Sequence, residues 1–151
     1  MSIHDITSNI ATEQSLSPQT IQAAALTSGN VDCRATGAVA IAVMVGNIAD
    51  TLGASNRIDL KIEHADDDGT GNPAAYAACT DDDVLNFSGL VSGVFFTVNA
   101  NALKSKRSII GYRGTRRFVK VTATPVSLAT GGPIAMMTLK GLVSQKPVVN
   151  S

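Results

Sequence analysis

The side chains that could act as nucleophile, base or metal ligand are few: Cys33, Cys79, His4, His64 and twelve carboxylates. A nucleophilic thiol or hydroxyl needs a base beside it, and a zinc site announces itself in sequence by closely spaced Cys and His. Neither arrangement occurs. The chain has no CxxC, HExxH or GxSxG, no P-loop and no glycine fingerprint for a dinucleotide. Cys33 and Cys79, 46 residues apart, are too few for a disulfide framework and read as free thiols, with a bridge between strands left open. His64 closes a predicted strand and reads as a hydrogen-bonded rim residue. These residues predict no enzymatic activity, no metal site, no cofactor and no small-molecule substrate.

The carboxylates allow one metal test. Asp66-Asp67-Asp68-Gly69-Thr70-Gly71-Asn72-Pro73 begins like a calcium loop, which needs oxygen ligands at alternating positions and a bidentate Glu at the twelfth. Counting from Asp66, Gly71 falls at the sixth place, but Thr70 takes the fifth and Ala77 the twelfth. The match fails, and the segment reads as a turn in which Asp and Gly supply left-handed geometry. Asp81, Asp82 and Asp83 read as a second solvated turn ahead of Val84-Leu85-Asn86-Phe87.

Seven bases, Lys104, Lys106, Arg107, Arg113, Arg116, Arg117 and Lys120, fall within seventeen residues and could contact phosphates. Only Tyr112 and Phe118 lie among them, too little for a base-stacking platform, and the net charge is zero. Nucleic acid is therefore not the expected partner. The charge is nonetheless segregated: twelve acids against three bases leave residues 1–83 at −9, and nine bases without an acid leave residues 84–151 at +9. Two readings follow. Acidic and basic strands pair within one sandwich, or the two signs form complementary surfaces that orient subunits. The second makes Arg107, Arg113, Arg116, Arg117 and Lys120 candidate inter-subunit contacts for Asp66, Asp67, Asp68, Asp81, Asp82 and Asp83.

These groups must be positioned by strands. At 151 residues a single domain is expected, with 44% apolar residues but only 4% aromatic, so a core of Val, Ile, Leu, Ala and Met. AVAIAVMV at 38–45 is apolar on both faces and reads as a central strand whose flat Ala face suits close approach by a second sheet, an arm or another subunit. Residues 57–64 alternate, with Ile58, Leu60, Ile62 and His64 on one face and Arg57, Asp59, Lys61 and Glu63 on the other. Further strands are expected at 20–26, 93–98 and 133–143, and residues 107–112 and 116–124 read as a hairpin closed by Pro125. About seven to eight strands and no long helix predict an all-β protein, an antiparallel β-sandwich, jelly-roll-like or immunoglobulin-like. The domain spans 18–146, between an extended N-terminal arm at 1–17 and a C-terminal tail at 147–151. Ile3, Ile6, Ile10 and Leu16 are the arm's candidate contacts. The N-terminus lacks a secretory signal and no apolar run approaches membrane-spanning length, so the expectation is a chain cytoplasmic at synthesis, without a membrane partner.

The order of IEHADDDG, IGYRGTRRFVKVTATPV and GGPIAMMTLKGLV, across roughly Val31 to Val148, resembles small β-rich proteins encoded among the head genes of tailed phages. It is similar to those taken as capsid decoration or cement proteins. The resemblance implies a structural virion protein on the capsid exterior, present in the host cytoplasm during assembly. Its partners would be the major capsid protein and copies of itself, as a dimer or trimer. Another virion part, such as a head-tail connector, tail protein or fibre base, is the alternative, with a carbohydrate- or nucleic-acid-binding module behind it.

Overall fold

Two antiparallel sheets face each other in the computed structural model, which describes residues 8–34, 36 and 38–141. In chain order the strands are β1 (Ile10–Ile21), β2 (Leu26–Thr27), β3 (Val31–Asp32), β4 (Ala38–Val45), β5 (Arg57–Ala65) and β6 (Ala77–Ala78). They continue as β7 (Val84–Leu85), β8 (Val94–Val98), β9 (Arg107–Tyr112), β10 (Phe118–Val126) and β11 (Gly132–Gly141). The first sheet runs β1-β11-β4-β9-β7, and the second runs β2-β10-β5-β6, with β3 also on β10 and β8 also on β5.

The short strands share lanes. β2 and β3 meet successive parts of one edge of β10, and β8 and β6 meet successive parts of the free edge of β5. The second sheet therefore has four lanes, and the chain passes from one sheet to the other at every step except β2 to β3, which share a lane, and β5 to β6. That alternation is jelly-roll connectivity. It settles the choice between the two expected sandwiches, since an immunoglobulin sandwich keeps its first two strands in one sheet.

Alternation builds the core. Ile58, Leu60 and Ile62 of β5 and Val119, Val121 and Ala123 of β10 are fully buried, facing Val39, Ile41, Val43 and Val45 of β4 and Ile134 and Met136 of β11. Each large aliphatic side chain so buried contributes roughly 1.5–3 kcal/mol. β4 lies third of five strands, as its two apolar faces require.

Four expectations need correction. Residues 20–26 are not one strand: β1 ends at Ile21 and β2 begins at Leu26. Residues 107–112 and 116–124 do not form a hairpin: β9 pairs with β4 and β7, whereas β10 pairs with β5, β2 and β3. The link 113–117 crosses between sheets, because Tyr112 turns into the core and its hydroxyl accepts the Arg116 N–H at 3.2 Å. Pro125 does not end β10, which continues to Val126; Pro125 sits opposite Ile58, beyond the last β2 pair, where no donor is needed on that edge. Nor is there a boundary between Ser17 and Pro18. Residues 10–21 form one bulged strand along β11, covering its edge, with Leu16 packed against the core. Ile3, Ile6 and the tail at 147–151 lie outside the described residues.

Candidate functional site

The expected charged contacts converge on one end of the sandwich, and most find partners within the chain. Arg117 is held between Asp32, at 2.8 Å, and Asp67, which also meets Arg34 at 3.3 Å. The Arg117 hydrogen bonds hold the Asp32 carboxyl below its ordinary range. Arg116 lies 3.6 Å from Asp66. Lys120 reaches Glu63 at 3.8 Å and stands 4.0 Å over the Tyr76 ring.

The remaining aspartates organise backbone. Asp67 Oδ1 accepts the N–H groups of Gly71 and Gly69, and Asp68 Oδ1 accepts the Thr70 N–H and hydroxyl, which lowers both acids. Asp81 accepts the N–H groups of Gly89 and Leu90, each at 2.8 Å. The Arg113 side chain donates to the Asp82 carbonyl at 2.8 Å, and its N–H donates to the Asp83 carbonyl at 2.8 Å. Ion pairs within the chain, between acids of the first half and bases of the second, therefore take up part of the segregated charge. Arg107 differs, being exposed with neither an ion pair nor a side-chain hydrogen bond among the described residues, whereas Arg113, also without an ion pair, holds the Asp82 carbonyl.

Behind this end lies a cluster with no sequence signature. His64, at the end of β5, is only 6% exposed, a buried residue where the sequence predicts a rim. Its Nδ1 lies 3.0 Å from Tyr112 Oη and 3.8 Å from Asp83 Oδ1. Cys79 follows β6, whose pairing with β5 sets the Cys79 N–H 3.2 Å from the Ile62 carbonyl. One ligand atom each of His64, Cys79 and Asp83 lies within 4.8 Å of the other two. Burial lowers the His64 pKa and pushes the Cys79 thiol up to about 12. Burial would also raise Asp83, but the Thr80 N–H and hydroxyl, at 2.8 and 2.9 Å from Oδ2, hold it low. A neutral imidazole beside a thiol that resists ionisation is the reverse of an activated nucleophile. Cys33, half-buried elsewhere, is likewise free, so the two cysteines form no bridge.

The opposite surface is apolar. On the outer face of the first sheet, strand register places Gly141, Leu139, Met137 and Ala135 opposite Ala38, Ala40, Ala42 and Met44. β9 adds Gly111, Ile109 and Arg107 beside Ala40, Ala42 and Met44, and β7 lays Leu85 over Gly111. Ile109 is 53% exposed, Leu85 41% and Met44 39%. Ile10, an expected arm contact, lines a groove in this face with Ala40, Leu85 and Leu139, whereas Leu16 faces the core. Arg107 stands at its rim.

The chain thus belongs to the class of jelly-roll β-sandwiches, with a charge-paired end, a buried His-Cys-Asp group and an apolar sheet face that no described residue covers. No family model and no curated protein matches the sequence. Among solved structures, 89% of this chain aligns with 90% of a chain from the disulfide-linked pili of Bacillus endospore appendages, at 14% identity and a TM-score of 0.39. The same share aligns with 40% of a chain of the infectious bursal disease virus VP2 subviral particle, at 13% identity and a TM-score of 0.25. At these scores neither likeness bears on function.

Proposed function

We propose that the chain is a structural, non-enzymatic protein of a tailed-phage particle that decorates or cements the capsid, docking the outer face of its first sheet on the major capsid protein. One observation carries this reading: a run of Ala, Gly, Met, Ile and Leu on the outer sheet face that no described residue covers, with Ile109 53% exposed. Exposed apolar surface of this kind marks an interaction site. Ala and Gly in the central rows let another backbone approach closely, and Met44, Ile109 and Leu85 supply apolar area around them. The charged end is a poorer anchor, because its acids and bases already satisfy one another. The occupant named here comes from the resemblance of the sequence to phage head proteins.

Ile109→Asp tests the reading, since it puts a charge at the exposed centre without touching the core. Wild-type protein should co-sediment with purified heads that lack it, and the variant should not, while both keep the same unfolding temperature. Equal binding of the variant would overturn the proposed face. A ring or tube at one vertex in a reconstructed particle would overturn decoration in favour of a connector or tail part. A folded wild type that ignores heads yet self-associates through Ile109 would replace the shell by a second copy as the occupant.

A further inference from the structure

We propose that His64, Cys79 and Asp83 form a binding site for one thiophilic divalent cation of the zinc type. The three residues offer one nitrogen, one sulfur and one oxygen, all within 4.8 Å of one another. Tetrahedral zinc, with bonds of about 2.0–2.3 Å, sets its ligands roughly 3.3–3.7 Å apart. The 3.8 Å between His64 Nδ1 and Asp83 Oδ1 is already close to that spacing. The rest of the closure, up to roughly 1.5 Å by the same bond lengths, is within reach of side-chain rotation.

The surroundings prepare these atoms for a cation. Thr80 occupies Asp83 Oδ2 with two hydrogen bonds and leaves Oδ1 turned to the imidazole, the outer-shell arrangement that orients a metal-binding carboxylate. Burial keeps the imidazole neutral, the form that ligates. Cys79 Sγ accepts and donates no hydrogen bond among the described residues, and a surface recess lined by Thr80, Asp82, Leu90 and Ser92 leads to it. Binding converts the thiol to a thiolate and releases its proton to solvent. The ion then takes the place of the Tyr112 hydroxyl as partner of Nδ1, while that hydroxyl keeps the Arg116 N–H. Three protein ligands leave the fourth position to water. Strands β5 and β6 and the turn at 81–83 become one clamped unit.

The full chain, stripped with a chelator, is titrated with Co2+ and then Zn2+. The expected results are one Co2+ per chain with a thiolate-to-cobalt charge-transfer band and tetrahedral visible bands, displacement by Zn2+, and a rise in unfolding temperature. Cys79→Ala, His64→Gln and Asp83→Asn should each lose the stoichiometric ion, whereas Cys33→Ala and Tyr112→Phe should retain it. Absence of the charge-transfer band from folded wild type overturns the proposal, and this holds even if a ligand variant fails to fold. Retention of the ion by a folded Cys79→Ala variant, or its loss in Cys33→Ala, also overturns it.

Discussion

The Tyr112 hydroxyl is predicted to hold together the crossing between the sheets, and Tyr112→Phe isolates it. The ring is 5% exposed and meets His64 edge-on, with centroids 5.8 Å apart and planes at 88°, a packing that phenylalanine preserves. The hydroxyl makes two close contacts, one to His64 Nδ1 at 3.0 Å and one from the Arg116 N–H at 3.2 Å, with the Arg116 carbonyl farther away at 3.4 Å. The hydroxyl gives its proton to Nδ1 or, in the other imidazole tautomer, accepts from Nδ1 and donates to the Arg116 carbonyl. Removing it strands a buried imidazole nitrogen, which costs about 1–3 kcal/mol, whereas the half-buried Arg116 N–H can turn to water. We expect a net loss of about 2 kcal/mol, or roughly 4–8 °C in unfolding temperature for a chain of this size. Urea titration followed by circular dichroism measures it, and a cycle with His64→Leu should return a coupling of about 1 kcal/mol. A Tyr112→Phe variant within about 0.5 kcal/mol of wild type, the ordinary scatter of neutral substitutions, would refute the reasoning.

Acid should act in two steps. The folded pKa of His64 lies below the ordinary 6.5, so the unfolded chain takes up that proton first; the His64 contribution is present above pH 6.5 and is lost as pH falls below it. His64→Gln should flatten that limb, and an unchanged limb would show that Asp83 and Asp66 offset the burial of the ring and its repulsion from Arg116. Asp32, Asp67, Asp68 and Asp81 are likewise held below 3.8, so a second loss follows as pH falls past that value. Gly131→Ala should be severe: φ is +74° and a Cβ would run into the Ile21 carbonyl, its carbon only 2.9 Å away. Left-handed strain and a backbone clash together should cost at least about 3 kcal/mol, and a shift of less than about 1 kcal/mol in denaturant would contradict that packing.

Where the chain alternates strictly, its sequence was enough. β4 and β5 fall at 38–45 and 57–65, with the expected residues inside, because burial on one face leaves a period of two. β1 was illegible for the opposite reason. It is polar, bears Pro18, and shifts register between Gln14 and Leu16 and again before Gln19, so no single period describes it. The crossover at 113–117 reads locally as a hairpin turn, since turn chemistry specifies a change of direction and not the sheet that receives the next strand. The His64-Cys79-Asp83 group is equally silent. Its members are 15 and 4 residues apart, and only the β5-β6 pairing joins them. A Cys spaced four residues before an Asp at a strand end was the one available hint, and it is weak.

The segregation of charge acquires a different meaning once topology is known. The outer face of the second sheet carries Arg57 on Asp59 at 3.1 Å and Lys61 on Glu63 at 2.9 Å, joined by Lys120 from β10. β5 carries two bases and two acids that pair along the strand, and Lys120 of β10 adds one contact from the second half of the sequence, to Glu63. The outer face of the first sheet has no such ladder. Its rows on β11, β4 and β9 are Ala, Gly, Leu, Met and Ile, with Thr12 and Gln14 of β1 along one edge and Arg107 at the rim. Hydrating the charged ladder costs nothing and burying it would cost its solvation, whereas covering the apolar face releases water at about 25 cal/mol per Å². A sandwich with one wet face and one dry face therefore has a preferred orientation on any shell it coats. If the chain coats a capsid as proposed, the second sheet would face solvent and the first the lattice.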